Sequence, residues 1–335
     1  MRYLENPSTD PHFNMAFDGY CLEAPPSDAP FFYLWRNRPS VIIGLNQNPV
    51  AEVDLAYLES EGITLARRES GGGAVYHDLG NINYTIIGRN SDLRAEYPEY
   101  MYMMRDALRA MGLPVELSGR NDILLDGRKC SGFAKRLHAD RQMVHGTLMF
   151  DVDLGKMTRA LTVPGSKFSG GVKSVRSKVV NLREFLPQYS DATELMAALG
   201  DILAAGDGAV LLPEGALDEI NTRADKKFRT WQWNMGHSPA ADLRQSRRFP
   251  SAGTVTASFS IVKGLVRSLR FEGDFIGGKP AEELAGALEG CRYSRVDIID
   301  RIHARGLRSG DFFDGVTPEQ FAELITDNSN ESNRN

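Results

Sequence analysis

The chain has 335 residues, 42% of them hydrophobic and 25% charged, values close to globular averages that exclude wholesale disorder and a collagen-like fibre. The length allows one large domain plus a small one, or a single large α/β domain. Its 39 Lys and Arg against 44 Asp and Glu leave a net charge of −5, so no global field favours a polyanion and nucleic acid is not expected as a partner.

Phe13, Ala16, Phe17, Tyr20 and Cys21 recur at three-and-four spacing and predict an amphipathic helix that Pro25-Pro26 stops. Phe31 to Trp35 and Val41 to Ile43 are short and β-rich, and the turn residues between them predict neighbouring strands. A helix is predicted from Val53 to Ser60, with Gly62 as its stop. Further strands are expected at Ile63 to Arg67, Asn83 to Ile87, Asp122 to Leu125 and Met143 to Phe150, with a hairpin turn at Asp126-Gly127. Helices are expected at Tyr100 to Met111, Leu154 to Leu161, Ala192 to Leu203 and Ala216 to Phe228. Strands and helices mixed without a strict βαβ period predict a mixed sheet with helices against it.

Arg244 to Pro250 is polar and basic and precedes a change of texture, which makes it the expected linker. A small α+β unit follows. Val255, Ala257, Phe259 and Ile261 alternate along one strand, Lys263-Gly264 turns the chain, and Leu265 to Phe271 returns. Two helices are predicted from Ala281 to Leu288 and Ser294 to His303, and the polar residues 326–335 form a flexible tail.

Cys21, Cys130 and Cys291 are far apart and show no metal or redox spacing. No run approaches the ~20 apolar residues of a membrane span, so a cytoplasmic protein without membrane contact is expected. No H-E-x-x-H zinc pattern or G-x-S-x-G elbow is present.

Three segments carry chemistry. In Arg67-Arg68-Glu69-Ser70-Gly71-Gly72-Gly73-Ala74-Val75-Tyr76-His77-Asp78, consecutive glycines remove every Cβ from a turn and let backbone N–H groups approach an anion. Two arginines directly upstream suit a ligand, although a tight structural turn is the other reading. In the second, Ser118 to Gly132, polar groups bracket a hairpin and Lys129 stands beside a Ser-Gly turn, able to reach a phosphate or carboxylate as a point charge. Cys130 is either a nucleophile of lowered pKa or a small buried hydrophobe. The third, His145-Gly146-Thr147, lies in an apolar strand, where a satisfied core histidine is the alternative to a functional one.

In this order, the segments resemble lipoate-protein ligase A of the biotin/lipoate protein ligase superfamily. The shared pattern runs R-R-x-S-G-G-G-A-V-x-H-D-x-G-N, S-G-R-N-D, R-K-x-S-G-x-A and H-G-T-L. Here it falls on Arg67 to Asn81, Ser118 to Asp122, Arg128 to Ala134 and His145 to Leu148. Similarity extends to Leu34 to Asn37, Gly171 to Ser177 and Trp231 to Asn234.

The resemblance implies an α/β (α+β) fold. Residues 1–246 would form a class II biotin synthetase/lipoate ligase-like catalytic domain with a mixed sheet and flanking helices, and residues 249–325 a small α+β C-terminal accessory domain. It implies activation of lipoate by Mg2+ and ATP to lipoyl-AMP. The lipoyl group would then pass to a lysine of a lipoyl domain, as in the E2 subunits of 2-oxoacid dehydrogenases, or of the glycine cleavage H protein. A monomer is expected. The family's nucleotide contacts map to Arg68, Gly73, Ala74, Val75, Tyr76 and Lys129, with Arg68 and Lys129 as the catalytic charges. Its lipoate contacts map to Lys129, Gly73, His77, His145 and Trp35, while Asn121 and Asp122 are candidates for adenine or Mg2+.

Two departures are visible. Glu69 puts a carboxylate beside the anion-binding arginine, and Cys130 replaces an aliphatic residue. An acyl transferase of the same superfamily would need a thiol after the H-G-T strand, and Phe150 to Leu182 contains no Cys. A non-catalytic lipoyl-binding homologue is the remaining alternative, and the presence of Arg68 and Lys129 argues against it.

Overall fold

The first helix, Pro11–Glu23, starts at Asp10, whose side chain accepts the His12 N–H, with Pro11 in the first turn where its missing N–H leaves no bond unmade. It ends two residues before Pro25, as predicted. The computed structural model describes residues 1–89, 99–118, 121–162, 178–238 and 240–326. Contacts divide these into two units.

The first unit takes the described residues within Met1–Leu45, Thr64–Met157 and Ser174–Thr230. It carries β1 (Arg2–Leu4), β2 (Phe31–Trp35), β3 (Ser40–Ile43), β4 (Thr64–Arg67), β5 (Val75–His77) and β6 (Asn81–Arg89). β7 (Val115–Ser118), β8 (Asp122–Leu125), β9 (Arg128–His138), β10 (Arg141–Met149) and β11 (Ala209–Val210) follow. Eight strands form a mixed sheet in the order β11-β1-β2-β6-β10-β9-β8-β7, and a smaller sheet has the order β4-β3-β5. β2 and β3 therefore belong to different sheets, and the expected pairing between them is corrected. All five residues of β2 and all four of β3 are buried. Runs apolar on both faces do not say which neighbour they pair with.

Helices Glu99–Ala110 and Ala192–Ala204 contribute Met101, Met104, Leu108, Leu195 and Leu199 to a core with Phe32, Leu34, Ile82, Tyr84 and Ile86 of the large sheet. Each such Leu or Phe contributes about 1.5–3 kcal/mol by burial. That packing holds β9 and β10 in register, with His145 opposite Ala134 and Gly146 opposite Phe133. The predicted turn at Asp126-Gly127 joins β8 to β9. The expected Ser-Gly turn beside Lys129 does not exist, because β9 runs straight through Ser131 and Gly132.

The second unit takes the described residues within Asn46–Ile63, Thr158–Lys173 and Trp231–Asn335. Its sheet pairs β12 (Ala241–Phe249), β13 (Gly253–Val262) and β14 (Leu265–Glu272) in that order. Val255, Ala257, Phe259 and Ile261 are buried as predicted, and Phe271, Phe275, Phe313 and Phe321 form an aromatic cluster in the same unit. The expected linker at Arg244 to Pro250 is corrected: it lies in β12 except for Pro250, paired from Ala241 to Phe249 with β13. A strand whose residues 244–248 are all polar or charged carries no apolar alternation, and so reads as a loop. Helices Leu55–Ser60, Ala281–Leu288 and Arg295–Ala304 match the predicted helices, and Ser309–Phe312 and Pro318–Thr326 are additional. The tail 327–335, Gly119, Arg120 and the 171–177 segment lie outside the described residues. Among the described residues no helix is long and apolar enough to cross a membrane.

Candidate active site

The loop after β4 is shaped from beneath by its arginines. Arg68 is buried, and its Nη2 donates to the carbonyls of Gly71 and Gly73, both at 2.8 Å. Its Nη1 donates to the Ile42 carbonyl at 3.0 Å, and Nε to Ser70 Oγ at 3.1 Å. Arg67 is fully buried and donates to the carbonyls of Gly44 and Leu45. Burial lowers both guanidinium pKa values to about 10, which leaves them charged at neutral pH. A trans peptide points its N–H opposite its C=O. Drawing the Gly71 and Gly73 carbonyls onto Arg68 therefore turns the Gly72 and Ala74 N–H groups away from it. Gly72 has φ +99°, and a Cβ there would meet Arg68 Nη2 at 2.8 Å, so only glycine fits without strain. A Cβ on Gly44 would fall 2.2 Å from the Gly72 carbonyl oxygen.

Lys129 lies on β9, with its ammonium 2.8 Å from Asp122 Oδ1 on β8. Both side chains are a quarter exposed. A Cβ on Gly132 would stand 2.7 Å from Nζ, so this glycine makes the ammonium's seat. Asn121 donates from Nδ2 to the Phe133 carbonyl and accepts the Phe133 N–H on its own carbonyl, which staples the β8–β9 end. A bulge in that pairing turns Cys130 inward. The thiol is wholly buried, donates to the Ile123 carbonyl, and burial pushes its pKa up to about 12. Of the two readings of Cys130, the buried hydrophobe holds and the activated nucleophile is corrected.

His77 on β5 is buried, and that burial, with the Arg68 guanidinium acting in the same direction, lowers its pKa to about 3. Asn37 Nδ2 donates to its Nδ1 at 3.0 Å, and Asn37 Oδ1 in turn accepts from Asn14. The neutral ring therefore carries its proton on Nε2, a buried atom with no partner among the described residues. Trp35 packs edge-on to that ring and donates from Nε1 to Thr85 Oγ1. Tyr76 is buried opposite Val41 in the small sheet, and Val75 pairs with Ile42.

His145 joins the two sheets. Its Nε2 lies 2.6 Å from Ser70 Oγ, which docks the glycine loop on β10, the strand beside the one that carries Lys129. Its Nδ1 lies 2.7 Å from Asp18 Oδ2. The sequence reading missed Asp18 and Asn37. The available signal was Asp18 itself, a carboxylate that with Asn14 interrupts the apolar residues on the buried side of its helix. Glu69 does not meet Arg68 as expected. Its carboxylate pairs with Arg136 at 2.6 Å and with Lys227.

The pattern of the lipoyl protein ligase A/B catalytic domain matches residues 10–204, and that of the bacterial lipoate protein ligase C-terminus matches residues 238–325. The lipoate-protein ligase LplJ of Bacillus subtilis is 35% identical over 333 residues, covering 97% of this chain and 100% of that protein. The chain belongs to the lipoate-protein ligase family. A crystal structure of lipoate-protein ligase A bound with ATP is 27% identical, with a TM-score of 0.58 over 70% of this chain and 98% of that one. The bipartite lipoate protein ligase of the archaeon Thermoplasma acidophilum, described together with its E2 lipoyl domain, is 26% identical with a TM-score of 0.59, over 70% and 96% of the two chains. This ligase has the expected mixed sheet, flanking helices and C-terminal α+β part.

Proposed function

We propose that this ligase couples lipoate to ATP and passes the lipoyl group to a lysine on an acceptor lipoyl domain or H protein, using the site around the glycine loop. The observation that carries the residue assignment is the Ser70–His145 contact, which brings a loop of oriented peptide N–H groups alongside the strand of Lys129. In the first step a carboxylate oxygen of lipoate attacks the α-phosphorus of ATP, the mixed anhydride forms and pyrophosphate leaves. Two anions must approach, so the site has to offset charge beforehand and hold more of it at the transition state.

Lys129 supplies a mobile point charge on the reacting carboxylate and phosphate. Arg68 acts with it from behind, orienting the peptides of Gly73, Ala74, Val75 and Tyr76 that cradle the nucleotide. The His77 Nε2–H, without a partner among the described residues, is a buried donor that a ligand oxygen would satisfy, and Trp35 and His145 complete the lipoate wall. In the second step the acceptor amine attacks the anhydride carbonyl and AMP leaves.

Mg2+ fits as a companion of the nucleotide. Such an ion takes most of its ligands from water and phosphates and needs only one or two carboxylates, and Asp122 at the Lys129 seat is such a group. Bound there, it would offset charge on the departing pyrophosphate. Residues 1–246 are assigned to catalysis and 249–325 to the accessory part, supported by the two family matches. The inward Cys130 thiol gives no support to a cysteine acyl-enzyme.

The test incubates the protein with ATP, Mg2+, lipoate and purified H protein. Pyrophosphate release that requires ATP and lipoate together, with a lipoyl-sized mass gain on the acceptor, is expected. Acylation of the acceptor without ATP, or no release at all, refutes the reading.

A further inference from the structure

Asp18 has no role in the chemistry above, yet its surroundings are built for a charge. It sits on the helix Pro11–Glu23 between apolar neighbours and is only 3% exposed. A buried carboxylate is costly unless donors match its lone pairs, and three do. Tyr33 and Thr85 donate their hydroxyl protons to Oδ1 at 2.6 and 3.0 Å, and His145 Nδ1 meets Oδ2 at 2.7 Å. Helix packing alone would be served by an alanine or leucine here.

The donor set fixes a tautomer. An ionised carboxylate only accepts, so His145 carries a proton on Nδ1, and in the neutral ring Nε2 is left as an acceptor for the Ser70 hydroxyl. Ser70 Oγ also accepts from Arg68 Nε. The same order of groups activates a nucleophile in serine hydrolases. Here Ser70 is 2% exposed and its oxygen is engaged by a guanidinium, which suits a fixed anchor.

We propose that Asp18 is a positioning residue for adenylation. Through the His145 tautomer it sets the Ser70 hydroxyl, and Ser70 pins the first residue of the Gly71–Gly73 backbone against β10. The inference rests on the ligase reading above. In Asp18→Asn the Tyr33 and Thr85 donors keep an acceptor oxygen, while the amide NH2 now faces His145 Nδ1. That arrangement forces the ring proton to Nε2 and reverses the Ser70 hydrogen bond.

The experiment pairs long-range 1H–15N spectra of 15N-histidine-labelled protein with steady-state pyrophosphate release. The His145 signal is assigned by its loss in His145→Gln. The wild type is expected to show an Nδ1–H ring at His145, and Asp18→Asn an Nε2–H ring. The kcat for adenylation should fall about 10- to 100-fold, the size of effect that removal of the partner orienting a metal-ligating histidine has, with KM for ATP within about threefold of wild type. A merely structural role would lower the melting temperature and leave kcat of the folded protein within about threefold of wild type, whatever the tautomer. An Nε2–H ring in the wild type, or an Asp18→Asn kcat within about threefold of wild type, overturns the proposal. Should Asp18→Asn not fold, the wild-type spectrum and Ser70→Ala decide: the serine variant is expected to show the same fall in kcat, and wild-type turnover by it overturns the proposal. If wild-type protein releases no pyrophosphate from ATP and lipoate, the ligase reading fails, and the tautomer result still stands or falls separately.

Discussion

Gly132→Ala separates the position of the Lys129 charge from its presence. A Cβ on this residue falls 2.7 Å from Lys129 Nζ and 2.8 Å from Cε, whereas ordinary contact starts at 3.4 Å. The methyl group therefore pushes the ammonium aside by about 0.7 Å, close to the 1 Å displacement that costs an enzyme about 100-fold. In barrier terms that is about 2.7 kcal/mol. The fold should hardly register the change. The displaced atoms are the far end of a flexible side chain, and the partly exposed Lys129–Asp122 pair is worth about 0–1 kcal/mol. Replacing glycine in a strand returns about 0.5–1 kcal/mol through reduced chain entropy. Thermal unfolding should thus shift by no more than about 2–4 °C, while pyrophosphate release falls about 100-fold. Release within about threefold of wild type in a protein of unchanged melting temperature would show that the seat of the ammonium does not control the rate.

Lys129→Ala should abolish lipoyl-AMP formation, read by mass spectrometry, and leave the melting temperature near wild type; adenylate at the wild-type yield would refute the assignment. Arg68→Lys keeps a charge but gives up the fork that holds two loop carbonyls, so it should lose about 1–3 kcal/mol in urea unfolding and at least tenfold in kcat. His77 is held neutral, with its pKa lowered to about 3. Its contribution is intact above the unfolded value of about 6.5 and declines as pH falls toward the folded value, by up to about 1.4 kcal/mol per pH unit. His77→Gln should flatten the acid limb of the urea midpoint by that amount, and an unchanged limb would contradict the neutral ring. Cys130→Ala should lose about 1 kcal/mol of stability, as for removal of one buried methyl-sized group, and keep its lipoylation rate within about twofold, whereas an acyl-enzyme cysteine would leave none.

Regular elements were legible wherever a period or a breaker acted locally. The stripe through Tyr100, Met101, Met104 and Leu108 became the buried face of its helix, and Asp126-Gly127 became the turn that joins two strands. Pairing was not legible. Nothing in Val41 to Ile43 distinguishes the partner Leu65 from a neighbour in β2, because both faces of these strands are buried. In the site, the residues that would carry chemistry could be named, but their directions could not. The sequence singled out Lys129, His77 and His145, and in the fold Lys129 pairs with Asp122, His77 with Asn37, and His145 with Asp18 and Ser70. Which neighbour each would meet depended on a bulge at Cys130 and on a helix 127 residues away in sequence that delivers Asp18 to His145.

The arginine pair shows why direction matters. Read along the chain, Arg67-Arg68 ahead of three glycines looks like two cations waiting for an anion. In the fold both guanidinium groups are buried and bonded to carbonyls of the loops they support. A glycine run bares its carbonyls as well as its N–H groups, and an unheld loop would present either. A guanidinium offers five donors and no acceptor, so it selects the carbonyls and turns the opposite edge of each of those peptides away from itself. The charge then acts twice, once through space and once through the dipoles it has oriented. Lysine, with a single ammonium, cannot hold two carbonyls and a hydroxyl in that geometry. On the proposed reading the labour divides accordingly: the buried arginine prepares the backbone before substrate arrives, and the partly exposed lysine, paired with Asp122 among the described residues, is the cation able to follow the reacting oxygens.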